Sequence, residues 1–290
     1  MNAALETADL GKRYGSFWAL RDCTLEIPAG SVTALVGPNG AGKTTLLHLA
    51  VGLTEPTAGE VRVLGASPRD VLARVGFVAQ EHPLYRSFTV AEMLELGRRL
   101  NPSWDGQAAR TRVDALGLPL RKKIGALSGG QRSQVALTLA LAKRPELLLL
   151  DEPVASLDPL ARREFLQSLM EAVAETGLTV LLSSHIVADL ERVCDHLVIL
   201  AGGHTQLAGP IEEILATHRL LTGPRNEAAA LARVHEVVRE RHTERQTTLL
   251  VRANGHLYDA AWEPHELDLE EIVLGYLGSG ASRERERVAS

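Results

Sequence analysis

A glycine-rich segment that lies between a short apolar run and a helical pattern holds the first residues capable of chemistry. It consists of Gly37, Pro38, Asn39, Gly40, Ala41, Gly42, Lys43, Thr44 and then Thr45. Glycines permit close backbone approach, so successive N–H groups can surround an anion. Lys43 can supply charge to the β- and γ-phosphates, and the Thr44 hydroxyl can ligate Mg²⁺. The spacing predicts a nucleoside triphosphate site, against the alternative of a fortuitous glycine turn before a helix.

Two carboxylates, Asp151 and Glu152, directly follow the apolar run at 147–150. Ligands of open α/β sheets bind at the carboxyl ends of the strands, so both side chains are expected there. Asp151 is suited to hold Mg²⁺ through water, and Glu152 to take a proton from an attacking water. Such a pair alone is as often an acidic helix start. The phosphate loop elsewhere in the chain favours the chemical interpretation.

A second possible anion site precedes another helical pattern. Its residues are Ser128, Gly129, Gly130 and Gln131. Ser128 is a good N-cap, and the glycines leave backbone N–H groups exposed at the start of the helix. The alternative interpretation is simply a capped helix.

The elements that position these residues can be predicted from periodicity and turn residues. We expect strands at 5–10, 18–27, 31–36, 147–150, 178–182 and 247–252, helices at 44–53, 227–241 and 267–277, a largely helical region at about 90–143, and a turn at 254–255. The predicted organisation is an α/β domain at 1–220 with a helical subdomain at about 82–143, a small α/β appendage at 221–278 and a disordered tail at 279–290.

Together these motifs resemble the ATP-binding subunit of an ATP-binding cassette (ABC) transporter, closely over about residues 4–215. Within that family the chain resembles the ATPases of ABC-2-type bacterial exporters of drugs or peptides. The resemblance implies a P-loop NTPase fold of the ABC ATPase type: a mixed sheet core, N-terminal antiparallel strands and a helical subdomain. It also implies ATP hydrolysis with Mg²⁺, coupled to transport.

The resemblance assigns roles to further residues. It implies that Tyr14 stacks on adenine, and we expect its neighbours Phe17 and Trp18 to pack instead. Gln80 would contact Mg²⁺ and the attacking water, and His185 the γ-phosphate. The family's signature motif corresponds to the Ser128 segment, and its D-loop, which crosses to the other subunit, to Ser156, Leu157 and Asp158.

The partners follow from the same resemblance. One phosphate loop and one signature segment imply a homodimer that closes over two ATP molecules and drives a polytopic membrane subunit at the cytoplasmic face of the membrane. The segment Glu81–Phe88 lies where that subunit would dock. Its apolar members, His82, Leu84, Tyr85 and Phe88, fit either such an interface or packing inside the helical subdomain.

Composition narrows the function classes. Lys plus Arg is 31 against 36 for Asp plus Glu, a net charge of −5, which argues against nucleic-acid binding. No apolar stretch reaches about 18 residues, so we expect no direct membrane insertion. Cys23 and Cys194 fit no disulfide framework or ligand spacing. The alternatives are a soluble ABC ATPase acting on the ribosome or nucleic acid, which the charge and single cassette disfavour, and a P-loop kinase.

Overall fold

The computed structural model describes residues 3–253 and 262–278. The elements, in chain order, are β1 (Ala3–Tyr14), β2 (Phe17–Pro28), β3 (Val32–Val36), α1 (Lys43–Ala50), β4 (Ala58–Val63), β5 (Val75–Val78), α2 (Val90–Leu100), α3 (Gly106–Ala115), α4 (Gly129–Ala142), β6 (Leu147–Leu150), α5 (Pro159–Thr176), β7 (Thr179–Ser184), α6 (Val187–Leu190), β8 (His196–Ala201), β9 (His204–Pro210), α7 (Ile211–Thr217), β10 (His218–Pro224), α8 (Ala228–Leu231), β11 (Glu236–His242), β12 (Gln246–Arg252), β13 (Glu263–His265) and α9 (269–278). The predicted turn at 254–255 and tail at 279–290 lie outside the described residues.

A six-stranded sheet, in the order β5-β6-β7-β3-β8-β9, forms the centre of the fold. Its strands are parallel except for β9, which pairs antiparallel with β8. Every residue of β3, β6 and β7 is buried, as expected of strands covered on both faces. The predicted strands at 31–36, 147–150 and 178–182 are confirmed within a residue or two.

A separate antiparallel sheet, in the order β2-β1-β4, covers α1. Leu5 and Leu20 from this sheet share one apolar core with Leu46 and Leu47 of α1. The first two strands are longer than predicted, because they continue into a hairpin that ends at Tyr14 and Phe17. The mixed fold and the antiparallel N-terminal strands agree with the P-loop NTPase fold that was predicted.

Helices α2, α3 and α4 form a compact helical unit inside the predicted range 82–143. Thr89 and Glu92 form a capping box that fixes the start of α2. The unit has its own apolar core, with Val113 and Val135 at its centre.

The C-terminal region is a four-stranded antiparallel sheet, in the order β11-β12-β10-β13. Residues of α9 join a core on one face of this sheet, and those of α8 a core on the other. The predicted helix at 227–241 is wrong: only α8 is helical there, and β11 is a strand. Alternating side chains let β11 pair along β12, and that pairing outweighs local helix propensity. The first strand of the sheet, β10, crosses the predicted boundary at 220/221.

Within residues 3–253 and 262–278, none of the helices combines the length and the apolar character needed to span a bilayer.

Candidate functional site

Four neighbouring parallel strands deliver their following residues to one edge of the central sheet. Gln80 comes shortly after β5, Asp151 and Glu152 after β6, His185 after β7, and Gly37 after β3. Because the sheet order is β5-β6-β7-β3, these ends are adjacent in space. The carboxyl edge of the sheet therefore collects the polar residues singled out from the sequence.

The phosphate loop between β3 and α1 requires glycine for two physical reasons. A Cβ on Gly37 would collide with the carbonyl oxygen of Leu200 on β8. Gly42 has φ 103°, in the left-handed region, and its Cβ would meet the carbonyl of Ala19. The loop is thus held between β2 and β8, and its backbone leads directly into α1.

Lys43 is buried within this loop, with 6% of its side chain exposed. Its Nζ donates hydrogen bonds to the carbonyl oxygens of Gly37 at 2.7 Å and Pro38 at 3.3 Å. The same Nζ lies 3.2 Å from Oε1 of Glu152. These partners hold the ammonium group where the loop, the carboxylate and the sheet edge meet.

Glu152 also contacts His185. Its Oε2 lies 3.0 Å from His185 Nδ1, so one carboxylate joins the lysine of the phosphate loop to the histidine after β7. Glu152 has φ 45°, an uncommon conformation for a residue other than glycine. Glu152 therefore connects two other predicted residues, Lys43 and His185.

Ser183, a residue that the sequence reasoning missed, fixes the two carboxylates. Its Oγ donates to Asp151 Oδ1 at 2.9 Å and accepts from the backbone N–H of Glu152 at 2.8 Å. The signal was available, since Leu182 pairs with Leu150 and the next residues on both strands must be neighbours. A hydroxyl beside an acidic strand end is a recognisable pattern once the register is known.

The segment from Ser128 to Gln131 starts α4 as a capping box. Ser128 Oγ accepts from the backbone N–H of Gln131 at 3.2 Å, and Gln131 Oε1 accepts from the backbone N–H of Ser128 at 3.1 Å. The carboxylate of Asp158 caps α5 in a similar way. Across the described parts of the chain, no hydrogen bond or ion pair joins Ser128, Gln131 or Asp158 to the phosphate loop. The capped-helix interpretation is confirmed, and the nucleotide interpretation of these residues remains a prediction.

The aromatic residues near the N-terminus lie at the tip of the β1–β2 hairpin. Tyr14 is 50% exposed, and Lys12 Nζ lies 5.2 Å from the centroid of its ring. The expectation that Phe17 packs is wrong, because its side chain is 62% exposed beyond the edge of the sheet. Trp18 does pack, against Gly11, and Arg13 lies over its ring. Both Tyr14 and Phe17 therefore offer an accessible ring.

The segment Glu81–Phe88 contains both residues that pack in the helical subdomain and a residue that is exposed. Leu84 and Phe88 pack against the helical core, whereas Tyr85 is 60% exposed and stacks on Phe88 with centroids 5.1 Å apart. Burial, with a smaller contribution from the charge of Arg132, lowers the pKa of His82. Only Tyr85 of the four apolar members presents most of its side chain to a partner.

Known proteins are similar in sequence to this chain over most of its length. A family model described as "ABC transporter" matches residues 20–155, and one described as an AAA domain matches residues 123–188. The aliphatic sulfonates import ATP-binding protein of Pseudomonas fluorescens is 37% identical over 74% of this chain and 82% of its own length. The sulfate/thiosulfate import ATP-binding protein of Synechocystis is 35% identical over 71% of this chain, which spans only 60% of that relative.

Solved structures show the same likeness. The ATP-binding subunit of an ABC transporter is 30% identical, with a TM-score of 0.66, over 73% of this chain and 92% of that one. A bacterial ABC transporter cassette with a dimeric structure is 26% identical, with a TM-score of 0.65, over 71% of this chain and 98% of that one.

Proposed function

This chain belongs to the ABC transporter family as an ATP-binding subunit, and we propose that it hydrolyses ATP to drive a separate membrane subunit. One observation carries the proposal: the contact of Lys43 with Glu152 and of Glu152 with His185 beside the glycine loop. A loop lysine that only capped a helix would not need a buried acid and a histidine beside it.

The phosphate loop supplies the binding part of this activity. Its backbone N–H groups and the positive end of α1 favour the negative charge of a triphosphate. Lys43 adds a full charge from a buried position, where electrostatic interactions are stronger than in water. A γ-phosphate would compete with Glu152 for the ammonium group of Lys43, which would release the carboxylate for proton transfer.

The oxygen donors at the strand ends fit Mg²⁺. Thr44 and Gln80 are exposed, and one carboxylate oxygen of Asp151 bonds to Ser183 while the other accepts no hydrogen bond within 3–253 and 262–278. Hydroxyl, amide and carboxylate oxygens are the ligands that this ion prefers. These three residues would hold the ion, which would neutralise charge on the phosphates when bound.

Glu152 and His185 supply the reaction part. Glu152, with 10% of its side chain exposed, is placed to accept a proton from the attacking water, and the imidazole of His185 orients that carboxylate. Catalysis would rest on positioning and charge stabilisation, as is general for phosphoryl transfer. Ser183 keeps Asp151 and Glu152 in register.

A second copy of the chain would complete the site. Among the described residues, the start of α4 and the cap of α5 make no hydrogen bond or ion pair with the phosphate loop of their own chain. The similar bacterial cassette with a dimeric structure supports the same arrangement here. We propose that Ser128, Gly129, Gly130, Gln131 and Asp158 act on ATP bound to the partner copy, and that Tyr14 receives the adenine.

The membrane subunit would select the transported compound and determine the direction of transport. The relatives named for a substrate are import proteins, so they give no support to the predicted exporter. We propose a peripheral position at the cytoplasmic face, with exposed Tyr85 at the contact with the membrane subunit.

The test separates binding from turnover. We expect Glu152→Gln to lose about 10²- to 10⁴-fold in the rate of ATP hydrolysis, because it removes a placed base. ATP affinity, measured by calorimetry, should stay within about threefold, and the variant should form an ATP-dependent dimer on size exclusion. Glu171→Gln, an exposed change on α5, is the matched control. Equal loss of turnover in both variants, or loss of ATP binding in Glu152→Gln, would refute the proposed roles.

A further inference from the structure

A cavity of about 280 Å³ lies in the C-terminal domain, away from the phosphate loop. Its floor is one face of the four-stranded sheet, and its wall is α9 with the segment that leads into it. The lining apolar residues are Leu220, Leu250, Leu267 and Leu274. This volume is close to the lower end of the range for small-molecule sites.

The register of the sheet places two arginines on the same face as the apolar floor. Arg239 pairs with Leu250, Leu250 pairs with Leu220, and Arg241 pairs with Thr248. Side chains alternate between faces along a strand, so residues two apart, such as Arg239 and Arg241, lie on one side. Both arginines therefore line the cavity from the edge strand β11.

In the described ranges, Arg239 and Arg241 make no ion pair, in contrast to Arg74, Arg98 and Arg144, which each pair with a carboxylate. Glu271 is the one acid that lines the cavity, and it too lacks an ion pair within those ranges. Two unpaired guanidinium groups at one end of a leucine-lined cavity attract an anion.

The apolar part of the cavity is open to a ligand. Leu274 on α9 is 53% exposed, although its neighbours Ile272, Val273 and Tyr276 are buried in the core. Glu271 and Leu274, three residues apart on α9, lie beside that buried face, and Leu267 precedes the helix. An aliphatic chain that covers the exposed part of Leu274 would gain free energy from its burial.

We propose that this cavity binds a small aliphatic carboxylate. Its head group would receive hydrogen bonds from Arg239 and Arg241, whose planar guanidinium groups match a carboxylate. Its chain would lie on Leu220, Leu250, Leu267 and Leu274. Glu271 repels a second negative charge, which favours a monoanion with an apolar tail over a dianion.

Binding here would stabilise the junction between the two parts of the chain. The buried face of α9 shares one core with Ile211 and Ile214 of α7, which follows the last strand of the central sheet. His218 connects the same elements, with Nδ1 2.7 Å from the Ile214 carbonyl oxygen and Nε2 2.9 Å from the Tyr276 hydroxyl. A ligand that braces α9 would therefore raise the thermal stability of the full chain.

The experiment uses calorimetry on the full chain with four probes: hexanoate, hexan-1-ol, acetate and inorganic phosphate. We expect saturable binding of hexanoate with one site per chain, and affinities at least about tenfold weaker for the other three, because each lacks the head group, the chain or both. Hexanoate should also raise the midpoint of thermal unfolding.

Variants locate the site. Arg239→Ala and Arg241→Ala should each weaken hexanoate binding about tenfold, through loss of a charge-assisted hydrogen bond. Leu274→Asp should weaken it further by placing a like charge at the wall. Arg245→Ala, an exposed arginine outside the cavity, should leave it unchanged. No saturable hexanoate binding, phosphate binding as tight as hexanoate, or equal loss in Arg245→Ala would each overturn the proposal. ATP turnover plays no part in these readouts, so the result is independent of the proposed ATPase activity.

Discussion

The carboxyl edge of the central sheet and the C-terminal domain both bury polar side chains, but of different kinds. At the sheet edge, Lys43 and Asp151 are buried ionisable groups, and Glu152 lies between them with little exposure. In the C-terminal domain, the buried His218 is instead satisfied by the Ile214 carbonyl oxygen and the Tyr276 hydroxyl.

This difference separates binding groups from structural ones. Burying charges costs free energy that their mutual attraction only partly returns, so a buried cluster of ionisable groups weakens a fold unless it binds something. A neutral buried group whose hydrogen bonds are all made stabilises the fold instead. Changes at the sheet edge should therefore alter nucleotide binding and turnover more than folding, and changes in the C-terminal domain should do the reverse.

The largest effect is expected from Lys43→Ala. Loss of the buried ammonium group removes the main point charge facing the phosphates, and we expect ATP affinity to fall about 10³-fold, which corresponds to about 4 kcal/mol. The free energy of urea unfolding without nucleotide should fall by less than this amount, because Glu152 loses one partner but keeps its contact with His185. Calorimetry with ATP provides the measurement.

Lys123→Ala is the matched control for that change, since Lys123 is exposed and lies before α4 rather than in the phosphate loop. If Lys43→Ala unfolded at much lower urea while the folded fraction still bound ATP normally, the lysine would be structural. The sheet edge would then contribute to folding rather than to nucleotide binding.

Leu249→Ala tests the other region. Leu249 is buried in the core that Leu221, Val251 and Trp262 form on the face of the sheet opposite the cavity. Truncation should lower the free energy of unfolding of the C-terminal domain by about 3 kcal/mol, through lost burial and the space left behind. In a background in which Trp18 and Trp104 are replaced by Phe, the fluorescence of Trp262 in urea reports this locally, and ATP affinity should remain unchanged. Exposed Leu100→Ala is the control, and a parallel loss of ATP affinity in Leu249→Ala would show that the two regions fold as one unit.

The same contrast explains what the sequence could predict. The phosphate loop was readable because its chemistry restricts residue types: glycine where Gly37 meets the Leu200 carbonyl, and lysine at the start of α1. The contact of Glu152 with both Lys43 and His185 follows from strand order, which spacing suggested but could not place to within a bond length.

The secondary structure of the C-terminal domain was harder to predict, because no ligand chemistry restricts the residue types of β11. The polar residues of β11 fit a polar helix or an edge strand equally well; they include Glu236, Arg239, Glu240 and Arg241. The choice depends on pairing with β12, which local propensity does not reveal. Ser183 was missed for a related reason, since its role depends on its neighbour across the sheet.

Ser183→Ala tests how the carboxylates at the carboxyl edge of the central sheet are positioned. The change leaves the backbone N–H of Glu152 without its acceptor and Asp151 without its donor. We expect kcat for ATP hydrolysis to fall about tenfold, equivalent to about 1.4 kcal/mol, while KM stays within about twofold. Steady-state kinetics gives both values. Ser103→Ala, exposed between α2 and α3, is the control, and a rise in KM alone would make Ser183 a binding residue rather than one that positions the carboxylates.

The smallest effect concerns His218 and the stability of the C-terminal domain at acidic pH. Burial lowers the pKa of His218, so below its usual value of 6.5 the unfolded chain binds more protons than the folded one. The stability that the neutral imidazole contributes is therefore complete above about pH 6.5 and decreases as the pH falls below it. Urea unfolding followed by Trp262 fluorescence at pH 7.5 and 5.5 measures this change.

His218→Gln isolates that contribution, because an amide can still donate and accept hydrogen bonds but does not titrate. The difference in unfolding free energy between pH 7.5 and 5.5 should be smaller in His218→Gln than in the wild type, whereas exposed His265→Gln should match the wild type. His82, whose pKa burial also lowers, is present in all three proteins and cancels in the comparison. An identical loss of stability in His218→Gln and the wild type would mean that proton uptake elsewhere weakens the domain. The hydrogen bond between His218 and Tyr276 would then contribute the same stability at pH 7.5 and pH 5.5.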